Sequence, residues 1–426
     1  MKKLLIKTSL IAIIAFLSLI GMVAQETTES PIQIVVAARK GSDTTRYLAV
    51  NKELKNKEKT FLASKRALSY LQILAISSSQ IGEYKEALLY FDKSLALQNK
   101  INPIDPIAAS ELDKYKPQNA IKFIETIADS NQAIMLNEGH NLAYNRAFAI
   151  RLLDVLYKKG FRYFAAETLA ENDKELEKRG YPIYGKTGFY TDEPVYGDLI
   201  RAALKIGYKV VAYESETGTA YLRERGQAQN LYDRILSKDP KAKIFVYAGY
   251  DHIAKGGEKD ENKLMAQFFK DISKINPYSI DQVDMAERSS SENEFKTYKH
   301  ALTKDMGKEP VVFCDKQGKP YIVDNVKYDA QIFHPRSEYQ KGRPTWLLMG
   351  GLRKHYEFSV ELCKGKFPSL VQAFLANEGK DAVPIDQVQV SDSKNVPALV
   401  LPVGEFRLRV VDDSGNIINE SKIELK

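Results

Sequence analysis

The sequence predicts an α/β fold: a central, mostly parallel sheet covered by helices, preceded by an N-terminal helical hairpin region and followed by a C-terminal β-sandwich-like module. Three observations predict it. Between residues 118 and 290, continuously apolar β-rich runs alternate with amphipathic helical stretches, the pattern of strands buried on both faces of a parallel sheet. Upstream, within 26–117, apolar residues recur at three-to-four spacing from about Thr60 to Leu97. Downstream, over 305–426, short alternating runs are bounded by Gly, Pro and Asp-rich turns. With 426 residues and 44% hydrophobic content, the chain can bury two or three domain cores.

In residues 1–25, Lys2, Lys3 and Lys7 precede the uncharged run "TSLIAIIAFLSLIGMVAQ", which fits a secretory signal cleaved near Ala24 or Gln25. An uncleaved anchor is the competing reading, because the run approaches the length that spans a bilayer. No second apolar run is that long, so the mature chain is expected in the periplasm or outside the cell, without stable membrane insertion. Net charge is +7, but the basic residues alternate with acids, as in "KNKEKT" and "ENDKELEKRG", so nucleic acid is not an expected partner. Cys314 and Cys363 could pair in an oxidising compartment or remain buried thiols.

The first domain begins with a polar segment holding one strand-like run, "IQIVVAA". Gly82, Tyr84, Ala87, Tyr90, Phe91 and Leu95 then stand where a tetratricopeptide-like helical hairpin places its small and aromatic packing residues. A single repeat does not make a solenoid, so a hairpin packed on the next domain is expected in preference to a peptide-binding array, although its surface could hold a protein partner. "NPIDPIAASELDKYKP" reads as an irregular connection.

In the middle domain, four runs, "AIML", "FRYFAA", "YKVVAY" and "KIFVYA", are expected as parallel strands. Chemistry in such sheets gathers outside the carboxyl ends of the strands. Those ends deliver Glu138 and His140, then Glu167, then Glu214, then Asp251 and His252. Glu138, His140, Glu167 and His252 are the candidate catalytic set. Glu214 and Asp251 read as caps or loop residues, and His300, His334 and His355 as structural. A histidine beside a carboxylate can be a general base; equally, the same four side chains could ligate a divalent metal that activates water. The spacing does not choose between them. Arg223, Gln227 and Asn230 form one polar helix face. Arg223 could there hold a carboxylate or a developing oxyanion, with Asn230 and Arg146 as further substrate-binding candidates. Tyr250, beside His252, is a candidate ligand if the pocket binds haem or iron.

These residues sit in segments that carry a resemblance. "IMLNEGHN", "KKGFRYFAAETL" and "YLRERGQAQNLYDRILSKDPKAKIFVYAGYDHIAKG" together resemble the erythromycin esterase family, and more broadly the superfamily that joins those esterases to ChaN-like haem-binding lipoproteins and the TraB and Tiki proteins. The similarity covers about residues 118–285. Its most specific piece matches Arg223, Glu224, Ala228 and Asn230 ahead of a strand ending in His252. The resemblance implies an active site of Glu138, His140, Glu167 and His252. This chain departs from the esterases in having one residue, not two, between Glu138 and His140, and Gly249 where they carry a histidine. The expected function is hydrolysis of an ester or amide in a small molecule or peptide, with His140 as base oriented by Glu138 and Glu167. The alternatives are a binding protein for haem, iron or another ligand, and a noncatalytic interaction protein.

Overall fold

A computed structural model describes residues 29–39, 45–101, 107–215 and 218–426, so the expected signal segment lies outside the described residues. The N-terminal region contains helices α1 (Pro31–Arg39), α2 (Tyr47–Asn56), α3 (Glu58–Leu62), α4 (Ala67–Gln80) and α5 (Tyr84–Leu97). The run "IQIVVAA", expected as a strand, is α1. A capping box overrides its β-propensity: Ser30 N donates to Gln33 Oε1 at 2.7 Å, Gln33 N donates to Ser30 Oγ at 3.3 Å, and Pro31 takes the first helical position. Ile34 and Val35 are then buried in the cluster that holds Leu54, Leu71 and Leu74.

Helices α4 and α5 form the expected hairpin, turning at Gly82, and it touches both neighbouring regions. Phe91 stacks on Tyr250 with ring centroids 5.8 Å apart, and Gln387 Nε2 donates to Gln80 O at 2.5 Å.

The middle region runs β1 (Lys116–Asn119), α6 (Ala120–Ile127), β2 (Ala133–Glu138), α7 (Ala143–Lys158), β3 (Phe161–Ala166), α8 (Leu176–Arg179), α9 (Pro194–Ile206), β4 (Lys209–Ala212), α10 (Ala220–Leu231), β5 (Lys243–Gly249), α11 (Met265–Ser273), β6 (Tyr278–Asp281), α12 (Lys296–Ala301), β7 (Val311–Cys314) and β8 (Ala330–Gln331). A six-stranded parallel sheet has the order β4-β3-β5-β2-β6-β8. The four apolar runs are β2 to β5. Strand β8 comes from residues that the sequence assigned to the C-terminal module, and β1 pairs with β7 in a separate antiparallel ribbon.

Alternate side chains in this sheet enter two cores. Ile134, Leu136, Phe164, Phe245 and Tyr247 pack with residues of α7 and α9, whereas Ala133, Met135, Ala165, Ile244 and Val246 pack with residues of α10 and α11. Burial on both faces explains why these strands read as unbroken apolar runs. The connection from β2 to β3 passes beyond β5, and that from β5 to β6 passes back beyond β2. The paired ends Glu138 and Gly249 therefore lie where the connections diverge, the position at which open α/β sheets present ligand sites.

The C-terminal strands β9 (Tyr339–Gln340), β10 (Arg343–Pro344), β11 (Lys354–Tyr356), β12 (Ser369–Leu375), β13 (Asp386–Val390), β14 (Leu399–Leu401), β15 (Gly404–Asp412) and β16 (Ile417–Leu425) are all antiparallel. The β11–β14 ribbon and the β13-β12-β15-β16 sheet enclose one core around Val371, Leu401 and Phe406. Arg201 on α9 fastens this region by a bidentate pair to Glu378, 2.7 Å at each oxygen. Cys314 and Cys363 are free, buried and in different cores. No helix among the described residues is long and apolar enough to cross a membrane.

Candidate active site at the β2–β5 edge

Glu138 ends β2, where its side chain shares the parity of Ile134 and Leu136 and so points to the α7 side of the sheet. Arg146, one turn into α7, meets it there. Nε donates to Glu138 Oε2 at 2.7 Å and Nη2 to Oε1 at 2.8 Å, while Nη1 reaches Glu193 Oε2 at 3.0 Å. The same Nη2 donates to His140 O at 2.9 Å, and Gly139 N donates to Asn145 Oδ1 at 3.0 Å, so α7 holds the whole Glu-Gly-His turn. Burial alone would push the Glu138 carboxyl up, but Arg146 and His140 outweigh it and hold the group below the usual carboxylate range. For Glu193 burial prevails, and its carboxyl is pushed up.

His140 Nδ1 lies 3.0 Å from Glu138 Oε1. The ring stacks on Tyr190 at 3.7 Å between centroids and meets the edge of Tyr250 at 4.9 Å. Glu138, acceptor-only when ionised, places the ring proton on Nδ1. Nε2 is then left without a hydrogen-bond partner among the described residues.

Glu167 follows β3 and approaches the same glycine, Gly249, that the His140 ring approaches. A Cβ on Gly249 would stand 2.6 Å from His140 Nε2 and 3.0 Å from Glu167 Oε2, so both groups close on one point that only glycine leaves open. The Gly249 N–H donates to Glu167 Oε2. Burial raises the Glu167 carboxyl, yet His252, His140, Arg223 and the Gly249 N–H together draw it well below the ordinary range. Two non-glycine residues with positive φ flank these groups, Thr168 at +73° and Tyr250 at +44°. Such backbone outliers concentrate at functional sites.

Arg223 on α10 connects the second half of the cluster. Nη2 donates to Glu167 Oε1 at 3.1 Å and to Glu214 Oε2 at 2.7 Å, Nε donates to Glu214 Oε1 at 3.0 Å, and Nη1 lies 3.1 Å from His252 Nε2. His252 Nδ1 is 2.7 Å from Glu224 Oε1, and Nε2 is 3.6 Å from Glu167 Oε1. Burial lowers the His252 ring, but Glu224 and Glu167 outweigh both burial and Arg223 and raise it to about 9.

The structure thus brings Glu138, His140, Glu167 and His252 to one edge, with Arg223 between the last two. Arg146 is committed to Glu138 and Glu193. Asn230 is committed to backbone, donating to Tyr213 O at 3.1 Å and Glu214 O at 2.8 Å. Tyr250 packs between Phe91 and His140, and its hydroxyl accepts from His140 N at 3.3 Å. Glu214, read as a loop residue, is Arg223's bidentate partner, whereas Asp251 accepts from Tyr328 away from the cluster.

Three participants were absent from the candidate set. Glu224 stands in the arginine-acid pair of the last motif, and Glu193 precedes Pro194 as the N-cap of α9; both had a readable signal. Tyr190, in the long β3–α9 connection, had none.

The donor set does not fit a divalent metal. Arg146 takes both Glu138 oxygens, and Arg223 occupies the space between Glu167 and His252, so guanidinium groups stand where a cation would go. Among the described residues no group of three or more His, Cys, Asp or Glu is placed to hold a metal ion. Tyr250, the candidate haem ligand, lies packed between Phe91 and the edge of His140.

Gly249→Ala is expected to force the His140 ring off Glu138 and to destabilise the fold by about 1–3 kcal/mol, the usual cost of overpacking. A thermal melt unchanged from the parent would contradict this geometry.

No family model matches the chain, and no curated protein matches it. Among solved structures, it is similar to the type III effector HopBA1, with 13% identity over 40% of this chain and 86% of that one and a TM-score of 0.30. It is also similar to RRSP, a MARTX toxin effector domain from Vibrio vulnificus CMCP6, with 16% identity, 50% and 44% coverage and a TM-score of 0.26. A structure described as bacterial protein toxins gives 13% identity, 59% and 58% coverage and a TM-score of 0.28. Overlap of this extent establishes no activity, substrate or partner for the chain.

Proposed function

We propose that the chain is a hydrolase of an ester or amide, acting in the periplasm or outside the cell, with His140 as general base. The observation that carries this reading is the state of the His140 ring: Nδ1 is held by Glu138 at 3.0 Å, while Nε2 is unpartnered and converges with Glu167 beneath Gly249. Nε2 takes a proton from water as the water oxygen bonds to the substrate carbonyl carbon, and the carbonyl electron pair moves onto oxygen. Arg223, with the His252 ring held 3.1 Å from its Nη1, stabilises that oxyanion. Its collapse breaks the C–O or C–N bond, and the imidazolium of His140 returns the proton to the departing alcohol or amine. The resemblance of the quoted motifs in residues 118–285 to the erythromycin esterase superfamily implies the same four groups. With Gly249 replacing the esterases' histidine, Arg223, with His252 beside it, is the cation left to polarise the carbonyl.

Substrate approaches from the Arg223 side. Side-chain exposure there is 11% for Arg223, 16% for His252 and 20% for Glu214, against 3% for His140 and 2% for Glu167.

The test is turnover by the purified full chain on a panel of nitrophenyl esters and peptide anilides, with and without chelator. Hydrolysis that survives the chelator is expected; none on the whole panel, or loss with the chelator, would overturn the reading. The pH profile gives a second expectation. The His252 ring is raised to about 9 by Glu224 and Glu167, so the charge of this side of the site changes and activity falls as pH rises through that value. Glu224→Gln removes the carboxylate 2.7 Å away and moves this upper limb of kcat/KM toward neutrality. The sign for stability is the same: a ring raised from 6.5 contributes fully below that value and loses its contribution as pH rises through about 9.

A further inference from the structure

A cavity of about 350 Å³ lies against a different face of α7, lined by Tyr144, Ala147, Phe148 and Arg151 at helical spacing and closed by His334 and Trp346. None of the hydrolytic groups line it. One wall is aromatic: Tyr144 meets the His334 ring at 4.9 Å and Trp346 at 6.2 Å, and Phe148 lies across His334 at 5.7 Å.

Two polar atoms in this wall are unspent. The Tyr144 hydroxyl is buried and has no partner among the described residues, and burial keeps it protonated as a donor. His334 Nε2 lies 3.2 Å from Gln282 Oε1. Gln282 Nε2 donates to Asn137 O at 2.7 Å, so Oε1 is an acceptor and the ring proton sits on Nε2. That leaves the Nδ1 lone pair of His334 without a partner among the described residues. Burial holds this imidazole down at about 3, so it stays neutral and accepting.

The ionic groups around the rim are already paired: Arg151 with Glu309 at 2.5 Å, Lys308 with Glu338 at 2.9 Å, and Arg336 with Glu294 at 2.6 Å. The volume is at the small end of ligand pockets, which begin near ~300 Å³.

We propose that this cavity is a binding site for a small, neutral, planar heterocycle with a cyclic amide edge, whose carbonyl accepts from Tyr144 and whose N–H donates to His334 Nδ1. Leaving a buried phenol unsatisfied costs free energy that such a ligand recovers.

Trp346 is the chain's only tryptophan, so its emission reports occupancy directly. The full chain is titrated with uracil and with hypoxanthine, and with 1,3-dimethyluracil, which lacks the N–H donors. Calorimetry runs in parallel. A saturable change with uracil or hypoxanthine is expected, with dimethyluracil at least several-fold weaker. Tyr144→Phe should weaken binding about 3- to 10-fold, the value of one hydrogen bond, with a melting temperature no lower than the parent's. Ala147→Leu, which fills the cavity, should abolish binding. No saturable response to uracil or hypoxanthine at millimolar concentration by either method overturns the proposal, as does equal affinity for dimethyluracil or for the Tyr144→Phe variant.

Discussion

His140→Asn is expected to lower kcat on any substrate the parent hydrolyses by about 100- to 10,000-fold, the contribution of a positioned general base. Asparagine can still donate from Nδ2 toward Glu138 Oε1, which His140 Nδ1 meets at 3.0 Å. The buried carboxylate therefore keeps its partners, Arg146 included, and the fold is retained. What disappears is the second nitrogen. KM should change little, because Arg223 and His252, the groups proposed to hold the carbonyl, are untouched, and a loss confined to kcat marks an interaction made in the transition state. Steady-state kinetics and a thermal melt on the same preparation decide the matter. A variant that folds and turns over at the parent rate removes His140 from the chemistry.

Arg146→Met is expected to destabilise the chain by about 3–5 kcal/mol, the usual result of removing one partner from a buried ion pair. Arg146 is fully buried, as are Glu138 and Glu193, and its guanidinium spans both carboxylates. Methionine fills much of the volume but leaves two acids facing each other without a cation. Arg146→Lys should recover only part of the loss, since a single ammonium cannot reproduce three divergent donors. Denaturant unfolding of the three proteins measures this, and a loss below about 1 kcal/mol for Arg146→Met would place the pair outside the stabilising network. Glu138 adds a pH signature in the parent. Its carboxyl is held below the ordinary 4.5, so its contribution is present above that pH and lost as pH falls through the depressed value.

Much of the sheet was legible because its strands are buried on both faces. Continuous apolarity in β2 and β5, followed by amphipathic α7 and α11, leaves few other arrangements. Strand β8 was not legible: two residues, Ala330 and Gln331, carry no period, and only their pairing with Ile280 and Asp281 makes them a strand. Helix α1 was misread because β-branched residues dominate its composition, although Ser30 and Gln33 at capping-box spacing signalled a helix start. In the site, Glu138, His140, Glu167 and His252 were legible from their common place after apolar runs. Tyr190 was not, because the packing of a long connection has no local sequence signature.

By itself the sequence determined which residues end the strands, and so which edge of the sheet carries the acids and imidazoles; strand-end position is a local property of hydrophobic patterning. Only the tertiary structure decided how those groups are spent. Neutralisation of a buried charge depends on what approaches it through space, and the approaching groups come from distant segments: Arg146 and Glu193 at Glu138, Arg223 and Gly249 at Glu167, Glu224 at His252. That placement puts guanidinium groups where a metal would sit and leaves one nitrogen of His140 free.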